Sequence, residues 1–181
     1  MKFAYADPPY IGQSKRHYAD HPDYKGEVDH RKLLMDLKDN YPDGWVLSLS
    51  SPTLYEILKI CDELNIKTRV GVWVKPWAVW TDKNVSYAWE PILWSGGRKR
   101  NWRTRNTARD WVSANAVMNR KNDPNNTKGT KPRDFCFWIF DILGAERKDT
   151  LIDIFPGSGA VSEYWEQFIK GYKQLSLGDN I

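Results

Sequence analysis

The regular alternation of short strand-like segments with helix-like segments constrains the fold of this chain more than any other feature. The strand-like segments are rich in apolar, aromatic and β-branched residues, and they lie at 2–6, 45–49, 68–74, 87–94, 150–155 and 173–177. Apolar residues at helical spacing fill 31–40, 51–64, 135–143 and 161–169. This alternation predicts an α/β fold, with a mainly parallel sheet and helices on both of its faces.

Length and composition set broad limits on the kind of protein. At 181 residues the chain fits one domain, and we predict a single domain over 1–181. No apolar run approaches the roughly 18 residues of a membrane span. Cys61 and Cys136 stand outside any CxxC pattern, which is typical of free thiols in a reducing compartment. We therefore expect a cytoplasmic protein without a membrane partner.

Asp7-Pro8-Pro9-Tyr10 follows the first strand-like segment. Proline often ends a strand, so an ordinary turn is one interpretation. The tetrad also suits methylation of an amino group on an aromatic base, whose nitrogen lone pair is delocalised into the ring. The Asp7 carboxylate and the Pro8 carbonyl can accept both N–H groups and draw the nitrogen toward tetrahedral geometry. The prolines fix this backbone, Tyr10 offers a face for stacking, and a base in a duplex must first be flipped out.

A second loop leaves the strand-like segment 150–155 and enters a helix-like segment. A strand followed by a glycine turn can be purely structural, but this context also lets a nucleoside cofactor approach the backbone closely. Asp153 can hold the ammonium group of such a cofactor. The third glycine of the dinucleotide fingerprint is missing, which favours a different nucleoside cofactor. The candidate binding residues here are Asp153, Phe155, Pro156, Gly157, Ser158 and Gly159.

The two loops together resemble the motifs of the DNA amino-methyltransferases. The tetrad looks like their catalytic motif, and the loop after Asp153 looks like their S-adenosylmethionine-binding motif. Lys131-Pro132 is similar to a Lys-Pro motif that helps form the methionine end of the cofactor pocket, where Asp7 also contributes. The segments 73–76 and 90–93 resemble later strands of the same fold.

This resemblance implies a Rossmann-like methyltransferase sheet that uses S-adenosylmethionine to methylate N6 of adenine in double-stranded DNA. Three alternatives stay open. Cytosine N4 is one, although cytosine enzymes often carry Ser in place of Asp7. RNA adenine is another, although the messenger-RNA enzymes usually carry Trp in place of Tyr10. The third is a non-catalytic DNA-binding relative.

The order of the motifs matches the circularly permuted class often called beta, because the catalytic motif comes first. Only about six residues precede Asp7, so we expect no cofactor strand upstream. The family normally places an acidic residue after the next strand, where it binds the cofactor ribose; here Asp179 is the candidate. Only two residues follow Asp179, so we expect a sheet that lacks an edge strand and a pocket that is shallow or completed by another subunit. The resemblance also implies a homodimer, because enzymes of this class are often dimers.

The segment 98–131 concentrates the positive charge of the chain. It contains ten Lys or Arg against two Asp, a net charge of +8, whereas the whole chain carries +4. A solvated charged face is one interpretation. Aromatic residues interleaved with arginines are also typical of nucleic-acid grooves, so we predict a target-recognition insertion. The candidate DNA contacts are Lys15, Arg16, Arg98, Lys99, Arg100, Trp102, Arg103, Arg105 and Arg109.

All three histidines lie close together, at His17, His21 and His30. Two histidines four residues apart can bind a metal when they lie on one helix face. Methyl transfer from a sulfonium needs no metal, however, so we predict none. A loop over the active site is the alternative that we prefer for this segment.

Overall fold

The structure is a computed structural model that describes residues 1–11, 26–76, 85–100, 107–116 and 130–171. The described strands are β1 (Lys2–Ala6), β2 (Gly44–Ser48), β3 (Arg69–Val74), β4 (Trp89–Gly96), β5 (Trp111–Ser113) and β6 (Thr150–Asp153). The described helices are α1 (His30–Asn40), α2 (Leu54–Glu63), α3 (Arg133–Ile142) and α4 (Ala160–Ile169), and a 3-10 turn at Ser51–Thr53 precedes α2.

The six strands form one sheet in the order β5-β3-β4-β2-β1-β6. β4 is antiparallel to both of its neighbours, and the other three pairings are parallel. The prediction of a mainly parallel α/β sheet is therefore confirmed. The short strand β5 was not expected, because it lies inside the basic segment, and the strand predicted at 173–177 lies outside the described residues.

Helices cover both faces of the sheet, as predicted, and the alternation within β1 shows how. Phe3 and Tyr5 are buried against α3 and α4, whereas Ala4 and Ala6 are buried against α1 and α2. Successive side chains of a strand point to opposite faces, so one strand contributes to two hydrophobic clusters. Every residue of β2 is buried as well. The central strands are thus fixed from both sides.

Local signals explain the ends of the helices. The Asp29 side chain accepts a hydrogen bond from the N–H of Lys32 at 3.0 Å and caps α1. α3 ends where Gly144 adopts a φ of +63°, and the N–H of Ala145 donates to the carbonyl of Phe140 at 2.9 Å. A left-handed glycine with this hydrogen bond is a Schellman motif, a common way for a helix to end.

All the described strands except β4 end at the same end of the sheet, which we call its carboxyl end. The loops after β1 and β6 both leave there, on neighbouring parallel strands. β4 runs the other way, so it begins at the carboxyl end and finishes at the opposite, amino end. Ligands of open α/β sheets bind outside the carboxyl ends of the strands, which makes this end the place to look for a site.

Candidate active site

The two loops singled out in the sequence lie side by side. Tyr5 and Asp153 are partners in the register of β1 and β6, and the N–H of Ile154 donates to the carbonyl of Tyr5 at 2.9 Å. Asp7 follows two residues after Tyr5, so it continues on the sheet face that α3 and α4 cover. The structure thereby brings both aspartates to the carboxyl end of the sheet, on one face.

An ion pair joins Asp7 to the start of α3. The ammonium of Lys131 lies 2.5 Å from Oδ2 of Asp7, with only 6% of the lysine side chain and 23% of the aspartate side chain exposed. The same ammonium lies 5.9 Å from the centre of the Trp73 ring. Burial raises the pKa of Asp7, and the charge of Lys131 opposes that increase. Lys131 is therefore the main group that favours an ionised Asp7, and the charge of Lys75 acts in the same direction.

The electrostatics of Lys131 favour its charged form too. Burial acts to lower the pKa of Lys131, but the negative charges of Asp7 and Glu90 outweigh it, and the pKa is raised above its ordinary value. The predicted Lys131-Pro132 pair thus stands beside the tetrad, and Pro132 is buried at the N-terminus of α3.

Asp153 carries an unsatisfied acceptor. Its Oδ1 is buried and has no hydrogen-bond partner among the described residues. Burial, and then the charge of Asp7, raise the pKa of Asp153 to about 6, whereas a hydrogen bond from the backbone of Phe155 opposes the shift. A buried acceptor without a donor is costly for a folded protein and points to a group that the site is built to receive.

The glycine turn after β6 leaves open space. Gly157 and Gly159 adopt φ values of +47° and +73°, and the N–H of Gly159 donates to the carbonyl of Pro156 at 2.7 Å. A Cβ added at Gly159 would meet nothing within 4 Å, and one at Gly157 would meet only a carbonyl oxygen at 3.8 Å. The turn closes on itself, and α4 begins directly after it.

A cleft lies between β6 and α4. Its volume is about 290 Å³, and β6 is the last strand in the order of the described sheet. The lining residues are Leu151, Asp153, Ser162, Glu163, Trp165 and Glu166. Asp153 is therefore the residue of the candidate site that also lines this cleft.

Sequence patterns missed a second group of charged residues at the carboxyl end of the sheet. Tyr10 donates a hydrogen bond through its hydroxyl to Oε2 of Glu90 at 3.1 Å, and Glu90 forms an ion pair with Lys75. The ammonium of Lys75 lies 4.8 Å from the Trp73 ring centre. The resemblance of 73–76 and 90–93 to strands of the family was the available signal, but it gave these side chains no role.

The basic residues at the start of 98–131 lie at the amino end of the sheet. Arg98 follows β4, and its guanidinium is 2.6 Å from the fully buried carboxylate of Asp149. Arg100 is 2.7 Å from Oδ1 of Asp141, at the end of α3. Lys99 is exposed. These contacts give Arg98 and Arg100 structural partners, at the end of the sheet opposite Asp7.

Arg109 is different, because it is exposed and its guanidinium lies 5.5 Å from the centre of the exposed Trp111 ring. Other predicted site residues lie outside the described residues: Lys15, Arg16, Trp102, Arg103, Arg105 and Asp179, together with His17 and His21. His30 begins α1, and its Nδ1 contacts the carbonyl of Val28 at 2.9 Å.

Two broader features of the described residues bear on function. None of the helices described is long and apolar enough to cross a bilayer. The described ranges also contain no group of three or more His, Cys, Asp or Glu side chains placed to hold a metal ion.

The fold is that of the S-adenosylmethionine-dependent methyltransferases. Two solved structures to which the chain is similar are crystal structures of M1.HpyAVI. The complex of M1.HpyAVI with S-adenosylmethionine has a TM-score of 0.63 at 16% identity, over 93% of this chain and 78% of that one. The structure titled M1.HpyAVI alone has a TM-score of 0.60 at 15% identity, over 92% and 76%. No protein-family model matches the chain, and no curated protein sequence does.

Proposed function

We propose that this protein transfers a methyl group from S-adenosylmethionine to an exocyclic amino group of a base in DNA, with N6 of adenine as the favoured acceptor. The observation that carries the proposal is the meeting of the Asp7 and Asp153 loops at the carboxyl end of the sheet, with Lys131 paired to Asp7. The motif resemblance and the methyltransferase fold point the same way.

The cofactor side fits a cationic nucleoside. The described charged groups here are the carboxylates of Asp7, Asp153 and Glu90 and the ammonium groups of Lys75 and Lys131, which leaves one negative charge in excess. S-adenosylmethionine carries a sulfonium and an ammonium against one carboxylate, so its net charge complements this excess. Its ammonium can donate a hydrogen bond to Oδ1 of Asp153, which has no donor among the described residues.

The glycine turn supplies the close approach that a cofactor needs. Open space above Gly159 allows the backbone to touch a ligand, and the first N–H groups of α4 face the turn. The N-terminus of a helix carries partial positive charge, which suits the carboxylate of the methionine moiety. The cleft along β6 extends from here, and we assign it to the adenosine moiety.

The substrate side is the tetrad. One Asp7 oxygen is taken by Lys131, and no described residue donates to the other, so it is available to accept an N–H of the base beside the carbonyl of Pro8. S-adenosylmethionine supplies the methyl carbon: the amine lone pair forms the N–C bond while the S–C bond breaks. The extra proton on nitrogen then leaves to the Asp7 carboxylate or to water.

DNA is the macromolecule that we propose, and Tyr10 is the face on which the flipped base stacks. The charge of 98–131 supports an anionic partner. Because Arg98 and Arg100 have protein partners and lie with Lys99 at the amino end of the sheet, we assign DNA contact among the described residues of this segment to the exposed pair of Arg109 and Trp111.

The test is transfer of labelled methyl from S-adenosylmethionine to unmethylated DNA, with the product nucleosides identified by mass spectrometry. Wild type is compared with Asp7→Ala and with Asp36→Asn, an exposed carboxylate on α1 that serves as the matched control. We expect N6-methyladenine, a loss of about 100- to 1000-fold in turnover for Asp7→Ala, and wild-type turnover for the control.

The other outcomes separate the alternatives. N4-methylcytosine would keep the chemistry and change the base. Transfer to RNA but not to DNA would change the polymer. No transfer to either nucleic acid, together with no saturable binding of S-adenosylmethionine, would overturn the proposal and favour a non-catalytic DNA-binding protein.

A further inference from the structure

Glu90 connects three elements at the carboxyl end of the sheet. It lies near the start of β4, where it is the register partner of Trp73 on β3. Its Oε2 accepts the hydroxyl hydrogen bond of Tyr10 at 3.1 Å, and its Oε1 pairs with the ammonium of Lys75. The side chains of Glu90 and Lys75 are only 22% and 20% exposed, so this ion pair is largely protected from solvent.

Tyr10 depends on such contacts for its orientation. The register of β1 with both of its neighbours ends by Ala6, four residues before Tyr10, so no strand ladder fixes this part of the loop. Glu90, in contrast, stands on β4, where it is paired with Trp73 of β3. A hydrogen bond from the loop to Glu90 therefore ties the phenol ring to a residue whose backbone belongs to the sheet.

We infer that Glu90 is a positioning residue for Tyr10 and that Lys75 holds the Glu90 carboxylate in place. The inference rests on the proposed function, in which a base stacks on Tyr10. The Tyr10 hydroxyl sets the plane of the ring, and the plane of the ring sets where the amino group of the base lies relative to Asp7. A small misplacement of a reacting group lowers the rate strongly, so the anchor of the ring affects capture of the base.

Glu90 also has an electrostatic connection to the catalytic pair. Its negative charge contributes to the raised pKa values of both Asp7 and Lys131. Loss of the charge can therefore act through Asp7 instead of through Tyr10. The two routes differ in one respect: only the route through Tyr10 requires the phenol hydroxyl.

The experiment is a double-mutant cycle of Tyr10→Phe and Glu90→Gln, with Glu63→Gln as the matched control. Glu63 pairs with Arg31 on the exposed surface of α1 and α2. The substrate is a DNA duplex that the wild type methylates, and a second duplex carries 2-aminopurine at the methylated position, whose fluorescence reports the unstacked base. Urea unfolding of each variant separates loss of positioning from loss of fold.

We expect Tyr10→Phe and Glu90→Gln each to raise KM for DNA about 3- to 10-fold and to lower the 2-aminopurine signal, as loss of one hydrogen bond predicts. The double variant is expected to match the single variants in KM for DNA and in the 2-aminopurine signal, and the control is expected to equal wild type. Tyr10→Phe removes no core contact, so it tests the anchor even if Glu90→Gln unfolds.

Two results would overturn the inference while the proposed function stands: a KM for DNA and a 2-aminopurine signal of Glu90→Gln that equal those of wild type, or effects on KM that multiply in the double variant. Absence of methyl transfer by the wild type would instead refute the proposed function itself.

Discussion

Replacing Asp153 by Asn is expected to stabilise the folded protein and to abolish its affinity for S-adenosylmethionine. The carboxylate of Asp153 is held in an unfavourable environment, because burial and the nearby charge of Asp7 raise its pKa to about 6. An acid whose pKa is raised on folding binds its proton more tightly in the folded state. The folded state is therefore destabilised as the pH rises from about 4 to about 6, and the destabilisation persists above that window.

The magnitude follows from the shift. The change from 3.8 to about 6 corresponds to about 3 kcal/mol at neutral pH as an upper bound, since one pKa unit is about 1.4 kcal/mol. Asp153 is partly exposed, and solvent screening reduces this figure to about 1–3 kcal/mol. The stabilisation of Asp153→Asn over wild type is expected to be about 1–2 kcal/mol larger near pH 7.5 than near pH 4.5, where Asp153 of the folded wild type is largely protonated.

The assay is urea unfolding of wild type and Asp153→Asn at both pH values, with Asp36→Asn on the exposed face of α1 as the control. A parallel thermal melt adds S-adenosylmethionine at pH 7.5, where it is expected to stabilise wild type and not Asp153→Asn. Equal or lower stability of Asp153→Asn at pH 7.5 would refute the reasoning, because the carboxylate would then be satisfied in the folded state. Undiminished stabilisation by the cofactor would refute the role assigned to Asp153 in binding.

Three further predictions follow from individual contacts. Burial acts to raise the pKa of Asp149, but hydrogen bonds from Arg98, the amino group of Met1 and the N–H of Glu146 lower it to about 2. The stabilisation that ionised Asp149 gives the fold is therefore present above about pH 4 and lost as the pH falls toward 2. Asp149→Asn is expected to lower the urea midpoint at pH 7 and to weaken this acid dependence. Gly159→Ala is expected to destabilise the fold by about 1–2 kcal/mol in chemical denaturation, because the φ of +73° is strained for a residue with a Cβ even where space is open; an unchanged midpoint would contradict this. Arg109→Gln is expected to weaken DNA binding and to reduce the slope of log K against log salt by about one, measured by fluorescence anisotropy; an unchanged slope would remove Arg109 from the DNA contacts.

The basic segment 98–131 shows that positively charged side chains close together in the sequence can have different roles in the structure. Its charge suggested a continuous nucleic-acid surface, but Arg98 binds the buried carboxylate of Asp149 and Arg100 binds Asp141. Both acids are more than 40 residues away in the chain. Charge counted along the sequence does not reveal which cations are neutralised by acids that the fold brings near.

The sequence by itself determined the described elements of the fold other than β5, and it determined the two loops of the candidate site. Strand and helix periodicities, the cap at Gly144 and the turn residues are short-range signals, so they can be interpreted without knowledge of the partners. The positions of Asp7 just after one strand and of Asp153 at the end of another followed from the same signals, and open α/β sheets bind their ligands at such strand ends.

Only the tertiary structure decided the pairings of the side chains. Lys131 meets Asp7 across 124 residues, and Glu90 meets Tyr10 across 80. Both contacts depend on strand order and on register, above all on the reversed direction of β4, which delivers Glu90 to the carboxyl end and Arg98 to the opposite end. A shift of one residue in a strand moves every side chain to the other face, and local periodicity does not specify how strands separated in sequence pair.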